Sequence, residues 1–176
     1  FNLSESETRE SLLESTAGLN LHLDPRRRQD LDAVFMAARP EAARLLKPQI
    51  NFFQGHNLPV YSTSHVYSGR TDAASDKDLD GIRFPHMPWV IRDSRRIAGL
   101  RNALRESGYQ NTSGELFAFG YDAYRLALVA SDPAFAGRAR LEGLTGGLVL
   151  GRDGRIHRRF DWAEFSDGVP VRIWRD

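Results

Sequence analysis

The chain has 176 residues, of which 41% are apolar and 27% charged, and this composition predicts one globular domain rather than a disordered segment. The net charge of +1 argues against nucleic-acid binding, which needs clustered Lys and Arg. The lack of cysteine excludes disulfides and thiolate chemistry within the sequence. No apolar run approaches the roughly 18 residues of a membrane span. The chain begins at Phe1 without a signal peptide or a lipidated cysteine, so any membrane anchor is expected upstream.

The predicted elements alternate between helices and strands along the chain. Capping signals, apolar periodicity and turn residues predict helices over 4–17, 40–55, 94–106 and 115–129, strands over 31–37, 58–62, 80–84 and 169–174, and a hairpin over 143–160. Pro48 falls inside the second helix and is expected to kink it or end it early. Such alternation is typical of βαβ units. The predicted fold class is α/β, with a mainly parallel sheet flanked by helices and an antiparallel hairpin near the C-terminus.

Two neighbouring predicted strands each run into a loop rich in hydroxyl and aromatic side chains. Ligands bind beyond the carboxyl ends of strands in open α/β sheets, so the two loops form a predicted binding lip. The candidate binding residues of this lip are Thr63, Ser64, His65, Tyr67, His86 and Trp89. Among them Tyr67 and Trp89, which lie beside Gly or Pro, are favoured for contact with a ligand or partner. Tyr61 and Phe84 lie within the strands and are expected to be buried.

Catalytic and metal-binding interpretations of the lip lack the spacing that they need. The sequence has no Gly-x-Ser-x-Gly elbow and no Ser-x-x-Lys pair, so the hydroxyls of Ser62, Thr63 and Ser64 are predicted to cap a turn and line a groove. The five histidines are scattered singly without chelating spacing. His65 and His86 fall on adjacent predicted loops and could meet Asp80 in space, but hydrogen-bonded or surface histidines are the favoured interpretation. No catalytic residue, metal site or cofactor is predicted.

Two further motifs suggest anion binding at first sight. Arg26, Arg27 and Arg28 precede a predicted buried strand, where a solvated turn with Asp24 and Asp30 as partners is the favoured interpretation. A partner-binding role for the three arginines is the alternative, because arginine is enriched at interface hot spots. The glycine-rich stretch 143–147 precedes a strand rather than a helix, so it does not predict a phosphate-binding loop.

Six stretches, taken in order, carry a resemblance to a known family. They are PRRRQDLDAVF at 25–35, ARLLKP at 43–48, YSTSHVYSG at 61–69, DGIRFPHMPW at 80–89, FGYDAY at 119–124 and LTGG at 144–147. Each is weak alone, but together they resemble the LppC/LpoA family over nearly the whole chain. Members of that family are outer-membrane lipoproteins that activate a class A penicillin-binding protein.

The resemblance implies a fold, a location and a partner. The implied fold is that of a type I periplasmic binding protein, with residues 1–112 in the second lobe and residues 113–176 returning to the first lobe and adding a final strand. The rest of the first lobe is then expected outside this chain. The implied function is regulation of peptidoglycan synthesis in the periplasm, by contact with a class A penicillin-binding protein and without catalysis or nucleic acid. An upstream lipid anchor would hold the full-length protein at the outer membrane.

Two other function classes remain open from the sequence. One is a small-molecule binding or sensing module that closes two lobes on a ligand around Thr63, Ser64, Tyr67 and Trp89. The other, less favoured, is an envelope hydrolase. A deep polar cleft would favour the ligand, whereas a filled or flat cleft would favour a protein partner.

The predicted helix at 115–129 is apolar on most of its faces, which favours burial on more than one side. With first-lobe strands outside the chain, we expect the helix either to pack on the chain's own lobe or to bury itself against a second copy in a homodimer.

Overall fold

The computed structural model describes residues 3–18, 30–108, 114–130, 140–151 and 153–173. The helices are α1 (Leu3–Ala17), α2 (Pro40–Ile50), α3 (Ala73–Asp76), α4 (Pro88–Ile91), α5 (Arg95–Glu106) and α6 (Glu115–Ala130). The strands are β1 (Val34–Met36), β2 (Val60–Ser62), β3 (Ile82–His86), β4 (Arg140–Glu142), β5 (Gly147–Leu150), β6 (Ile156–Arg159), β7 (Asp161–Ser166) and β8 (Val169–Ile173). None of the helices in these ranges is long and apolar enough to cross a membrane.

The principal sheet has five strands in the order β1-β2-β3-β7-β8. β1, β2 and β3 are parallel, while β7 runs antiparallel to β3 and β8 antiparallel to β7. Strand β7 was not among the predicted elements, although the Asp167-Gly168 pair that joins it to β8 is a common hairpin signal. Both turn residues have positive φ, at 52° and 71°. The carboxylate of Asp80 accepts hydrogen bonds from their two backbone N–H groups at 3.1 and 2.8 Å, which fixes the turn beside the start of β3.

One face of this sheet forms the main hydrophobic core. Side chains that alternate along β2, β3 and β7 point to this face, and α2 and the turns after β2 cover it. The largest fully buried members are Phe84, Phe165, Leu79, Ile82, Val60 and Val66. The rings of Phe84 and Phe165 lie 5.1 Å apart. The expected burial of Phe84 is confirmed, and each large buried side chain contributes about 1.5–3 kcal/mol to folding. The expected burial of Tyr61 is wrong, because Tyr61 is half-buried and its ring lies on the opposite face of the sheet.

The second helix ends early, as Pro48 predicted. Pro48 has no N–H to donate to the carbonyl of Arg44, and the α-helix stops two residues later at Ile50. A single π-helical turn, Asn51–Gly55, continues the chain. A Cβ at Gly55 would lie 2.5 Å from the Ile50 carbonyl oxygen, so this wide turn closes only on glycine.

A second hydrophobic cluster gathers the helices that follow β3. Its buried members are Trp89, Ile97, Ala118 and Leu144, and Phe117 and Tyr121 of α6 pack against them. The predicted helices at 94–106 and 115–129 are confirmed as α5 and α6. The predicted hairpin is confirmed as β5 and β6, to which β4 adds a third antiparallel strand.

Asp122 joins α6 to this three-stranded sheet through a buried carboxylate. It accepts hydrogen bonds from the backbone N–H groups of Leu144 and Thr145 at 2.9 and 2.7 Å and from the Thr145 hydroxyl at 2.7 Å. A Cβ at Gly143 would lie 2.3 Å from a carboxylate oxygen of Asp122, so glycine is required for this close approach. The FGYDAY and LTGG motifs therefore meet in space as one structural unit.

Asp122→Ala should lower the free energy of unfolding by roughly 3 kcal/mol, because it leaves three buried donors without an acceptor. Asp78→Ala provides the matched control, since Asp78 is exposed on the surface. Urea unfolding of both variants measures the difference. Equal stability of the two variants would show that the Asp122 hydrogen bonds do not hold α6 in place.

Candidate binding groove at the strand ends

A groove lies on the face of the five-stranded sheet opposite the main core, toward the carboxyl ends of the parallel strands. Its volume is about 650 Å³, within the range of sites that hold small ligands or side chains of a partner. The lining residues are Ala33, Val34, Phe35, Tyr61, Ser62, Thr63, Ser64, His65, Pro85 and Trp162. The groove is therefore mostly apolar, with hydroxyl groups and an imidazole at one end.

The aromatic part of the groove follows from strand alternation. Phe35 is paired in register with Tyr61, and because their neighbours Met36 and Val60 point into the core, both rings lie on the opposite face. The Tyr61 and Trp162 rings meet edge to face, 6.1 Å apart at an angle of 89°. Phe35 keeps 69% of its surface exposed at the sheet edge. This large exposed ring beside two other aromatic rings is the most accessible apolar feature of the groove.

The polar end of the groove is held in place by the β1–β2 pair. The Ser62 hydroxyl is buried and donates to the Met36 carbonyl at 2.6 Å, so it supports the groove rather than facing it as a free donor. Thr63 is extended, and residues Ser64–Val66 form a 3₁₀ turn directly after it. This turn leaves Thr63 and Ser64 half-buried and His65 exposed at the rim. Thr63, Ser64 and His65 thus lie at one end of the groove, and their role in binding stays a prediction.

An ion pair continues this face of the sheet beyond the groove. Arg83 Nε donates to Glu164 Oε2 at 2.6 Å across the β3–β7 pair. The hydrogen bond to Glu164, followed by one to Tyr61, raises the pKa of Arg83. Because the two charges neutralise each other, the surface beside the groove suits uncharged side chains.

The expectation that Tyr67 and Trp89 face a ligand or partner is wrong. Tyr67 is only 8% exposed, because its ring packs in the main core 5.9 Å from the ring of Phe165. Trp89 is 4% exposed and lies in α4 rather than a loop, against Phe117 and beneath the Arg101 guanidinium at 5.4 Å. Both side chains stabilise cores and are not available at the groove.

His86 is also buried, because β3 extends two residues further than predicted and its last residue points to the core. Its Nδ1 accepts a hydrogen bond from the Met87 N–H at 2.8 Å. Burial, assisted by the nearby His65, lowers the pKa of His86 to about 4. His86 is therefore neutral near pH 7 and belongs to the packing beneath the lip.

Other predicted site features separate in the structure. Asp80 is engaged with the β7–β8 turn at the far end of β3, so it does not join His65 and His86. Within the described ranges no three His, Cys, Asp or Glu side chains are grouped as metal ligands would be. Arg26, Arg27 and Arg28 lie outside the described residues.

Most of the apolar groove was not predicted from the sequence. Phe35, Pro85 and Trp162 were not among the predicted site residues, because the prediction rested on the loops after the strands and not on the outward faces of the strands. The alternation of Val34, Phe35 and Met36 carried the signal, but three residues are too few to assign faces reliably. Trp162 belonged to a strand that was not predicted.

The depressed pKa of His86 predicts acid sensitivity. A histidine in the unfolded chain has a pKa near 6.5, whereas His86 in the folded chain has a pKa of about 4. Between these two pH values the unfolded chain binds a proton at His86 and the folded chain does not. Stability from this group is present above pH 6.5 and is lost as the pH falls toward 4. From pH 7.5 to 4.5 the natural chain should lose about 2 kcal/mol more unfolding free energy than His86→Asn, which keeps an acceptor but cannot titrate.

Denaturant unfolding at both pH values measures this effect. His157→Asn serves as the control, because His157 is exposed and should keep the natural pH dependence. If His86→Asn retains the full acid sensitivity of the natural chain, the loss comes from other groups.

Comparison with known proteins places the chain in a family. The model of the family described as "LppC putative lipoprotein" matches residues 1–168. The chain is 31% identical over 174 residues to "Penicillin-binding protein activator LpoA" of Photobacterium profundum, covering 96% of this chain and 28% of the relative. It is 30% identical over 166 residues to the protein of the same name from Aliivibrio fischeri, covering 93% and 27%. The chain thus spans a little over a quarter of the length of these relatives.

Solved structures support the fold. "LpoA (YraM) C-domain from Haemophilus influenzae, a regulator of PBP1A" superposes with a TM-score of 0.66 at 20% identity, over 96% of this chain and 57% of that one. A "putative branched-chain amino acid ABC transporter" from Rhodospirillum rubrum gives 0.63 at 20% identity, over 96% and 48%. The predicted α/β fold, like that of periplasmic binding proteins, is confirmed. With a family model that covers residues 1–168, the chain belongs to the LppC lipoprotein family.

Proposed function

We propose that this chain is part of an activator of peptidoglycan synthesis that binds a class A penicillin-binding protein in the periplasm. The observation that carries the proposal is the match of nearly the whole chain to proteins named penicillin-binding protein activators. The name of the Haemophilus structure, a regulator of PBP1A, supports the same partner class for this chain. Since this chain spans a little over a quarter of each relative, the activity is proposed for the complete protein to which the chain belongs.

The shape of the groove supports a protein partner. Its apolar wall presents the exposed ring of Phe35 beside Tyr61 and Trp162, and aromatic side chains are enriched at interface hot spots. Thr63, Ser64 and His65 at the rim can supply the polar edge that protein interfaces have around an apolar centre. A segment of the synthase with one or two apolar side chains fits this arrangement.

The small-molecule alternative has less support. It relied on Tyr67 and Trp89 to enclose a ligand together with Thr63 and Ser64, and both aromatic side chains are buried in cores. The buried Ser62 hydroxyl is already engaged with Met36. A ligand would find hydroxyls on one side of an otherwise apolar wall, which is a weak basis for orienting a polar molecule.

Activation by contact requires no chemistry from this chain. A regulator that binds the active conformation of a synthase more tightly than the inactive one shifts the population toward the active state. A tenfold rise in the active fraction needs only about 1.4 kcal/mol of differential binding. A modest apolar interface is sufficient for that effect.

We further propose that the full-length protein is a lipoprotein anchored at the outer membrane, with this part of it in the periplasm. The family description supports a lipid anchor, which would lie outside this chain. The division into a second lobe over 1–112 and returning elements over 113–176 is likewise proposed. A solved structure of the complete protein would place that boundary.

The proposed contact is tested in the complete protein with its cognate class A synthase. Phe35→Arg places a charge in the apolar groove and should weaken binding at least about 30-fold, the loss typical of an interface hot spot. Phe52→Arg is the matched control, because Phe52 is 82% exposed in the π-helical turn, which extends the helix on the core face of the sheet. Binding by surface plasmon resonance and glycan synthesis in vitro give the two measurements.

The control should bind and stimulate as the natural protein does. If the natural complete protein neither binds nor stimulates any class A synthase, the proposed function is wrong. If Phe35→Arg binds and stimulates the synthase as well as Phe52→Arg and the natural protein do, the synthase binds elsewhere and only the groove assignment is wrong.

The chain should show no hydrolysis of peptidoglycan fragments, since a catalytic serine needs a positioned base. Among the described residues the Ser64 hydroxyl and the exposed His65 imidazole share no hydrogen bond. Incubation of muropeptides with the natural chain, Ser64→Ala and His65→Ala should give identical chromatograms. Turnover by the natural chain that either substitution abolishes would establish an enzyme instead.

A further inference from the structure

The described residues form two groups of buried side chains that share no member. The main core lies on one face of the five-stranded sheet, and the second cluster joins α4, α5 and α6 to Leu144. The three-stranded sheet is separate from the five-stranded one. The chain thus has a sheet part, which contains β1, β2, β3, β7 and β8, and a helical part, which contains α4, α5, α6 and β4 to β6. The partly buried Val90 of α4 packs against both groups.

The chain passes between the two parts at two points that lie side by side. It leaves the sheet part after His86, the last residue of β3, and it returns at Asp161, the first residue of β7. His86 and Asp161 are paired in register, so the two crossings are neighbours. A few residues at the ends of elements are enough to absorb the rotation of one body against another. The two crossings therefore have the arrangement of a hinge.

Helix α4, which follows the first crossing, is held by the helical part. The Trp89 N–H donates to the Leu144 carbonyl at 2.8 Å, and the Arg101 guanidinium donates to the Trp89 carbonyl. Arg92, directly after α4, reaches back to the sheet part instead. Its Nη2 donates to Asp161 Oδ1 at 2.8 Å, and its Nε donates to Oδ2 of the same carboxylate. This bidentate ion pair ties the helical part to the sheet part beside the hinge.

Asp161 has a second arginine, which belongs to the sheet part. Arg172 Nε on β8 lies 2.9 Å from Asp161 Oδ2. Burial alone would raise the pKa of Asp161, but the hydrogen bonds and charges of Arg92 and Arg172 lower it, so the carboxylate is ionised at neutral pH. The Asp161 side chain is 11% exposed and each arginine side chain 29%. One largely buried carboxylate is thus shared by two guanidinium groups, one from each part.

This sharing allows Arg92 to be released without leaving a buried charge unpaired. If Arg92 withdraws, the Asp161 carboxylate keeps Arg172 and the Arg92 guanidinium enters water. Removing the single partner of a buried charge is far more costly, because the charge that remains is not compensated. The Arg44–Asp76 pair within the sheet part is of that costly kind. Asp76 is 3% exposed, and both side-chain donors that reach its carboxylate from the described residues belong to Arg44.

We propose that the Arg92–Asp161 ion pair is a reversible clamp that sets the angle between the two parts of the chain. With the clamp closed, α4 lies against β7 and the two parts hold one orientation. With the clamp open, Asp161 stays paired with Arg172 and the helical part turns about the two crossings. A contact on either part that favours one orientation would then shift the population of the closed clamp.

The distance between two spin labels in the complete protein tests the clamp. Lys77→Cys places one label on the sheet part and Ala103→Cys places the other on the helical part, since both residues are exposed and this chain has no cysteine of its own. Any cysteine outside this chain is replaced by serine. Double electron–electron resonance on the otherwise natural protein should give one narrow distance distribution. Arg92→Gln should at least about double the width of that distribution, because both orientations become populated.

Glu164→Gln is the matched control. It removes another β7 carboxylate that pairs with an arginine, but its partner Arg83 lies in the same sheet, so the distribution should stay narrow. Asp161→Asn should broaden the distribution as Arg92→Gln does. If circular dichroism shows that Asp161→Asn does not fold, Arg92→Gln decides the question, because it leaves Asp161 paired with Arg172.

An unchanged width for Arg92→Gln would overturn the proposal. Equal broadening by Glu164→Gln would overturn it too, since any lost ion pair of β7 would then loosen the protein. The distances are measured without a synthase, so neither result bears on the proposed function.

Discussion

The structure depends on the position of β3 between a parallel and an antiparallel neighbour. β2 pairs with β3 in parallel, while β7 returns from 75 residues or more further along the chain to pair with β3 on the other side. The Phe84–Phe165 contact beneath this pairing forms the centre of the core. On the other face the same pairing brings Pro85 beside Trp162 and so closes one wall of the groove. Core and groove are two consequences of one register.

The sequence predicted elements with strong local signals and missed those that need distant partners. The α5 boundary was readable because Ser94 caps it and Gly108 follows it. The early end of α2 was readable because proline cannot donate. β4 and β7 are short or carry acidic residues, and they become strands only when β5 and β3 supply their hydrogen bonds.

The sequence predicted where the candidate groove lies, but only some of the residues that line it. The polar residues 62–65 lie at one end of the groove as expected, because a polar run that follows a buried strand leaves the sheet at the carboxyl end of that strand. Tyr67 and Trp89 were wrongly predicted to face a ligand or partner. A neighbouring Gly or Pro indicates that the backbone turns but does not indicate in which direction the ring points. Phe35 escaped notice because a three-residue strand shows almost no alternation. Exposure of an aromatic ring is a tertiary property, and the two neighbouring faces of one strand look alike in sequence.

The late return of β7 has a consequence for biosynthesis. Arg83 and Glu164, which face each other across the sheet, are separated by 81 positions in the chain. Pairings of such long range are slow to form, because the intervening chain must be ordered before the contact is made. While a ribosome synthesises residues 87–160, the edge of β3 that later pairs with β7 is unpaired and can pair with a strand of another chain. That edge is covered only when the last hairpin, β7 and β8, has been made.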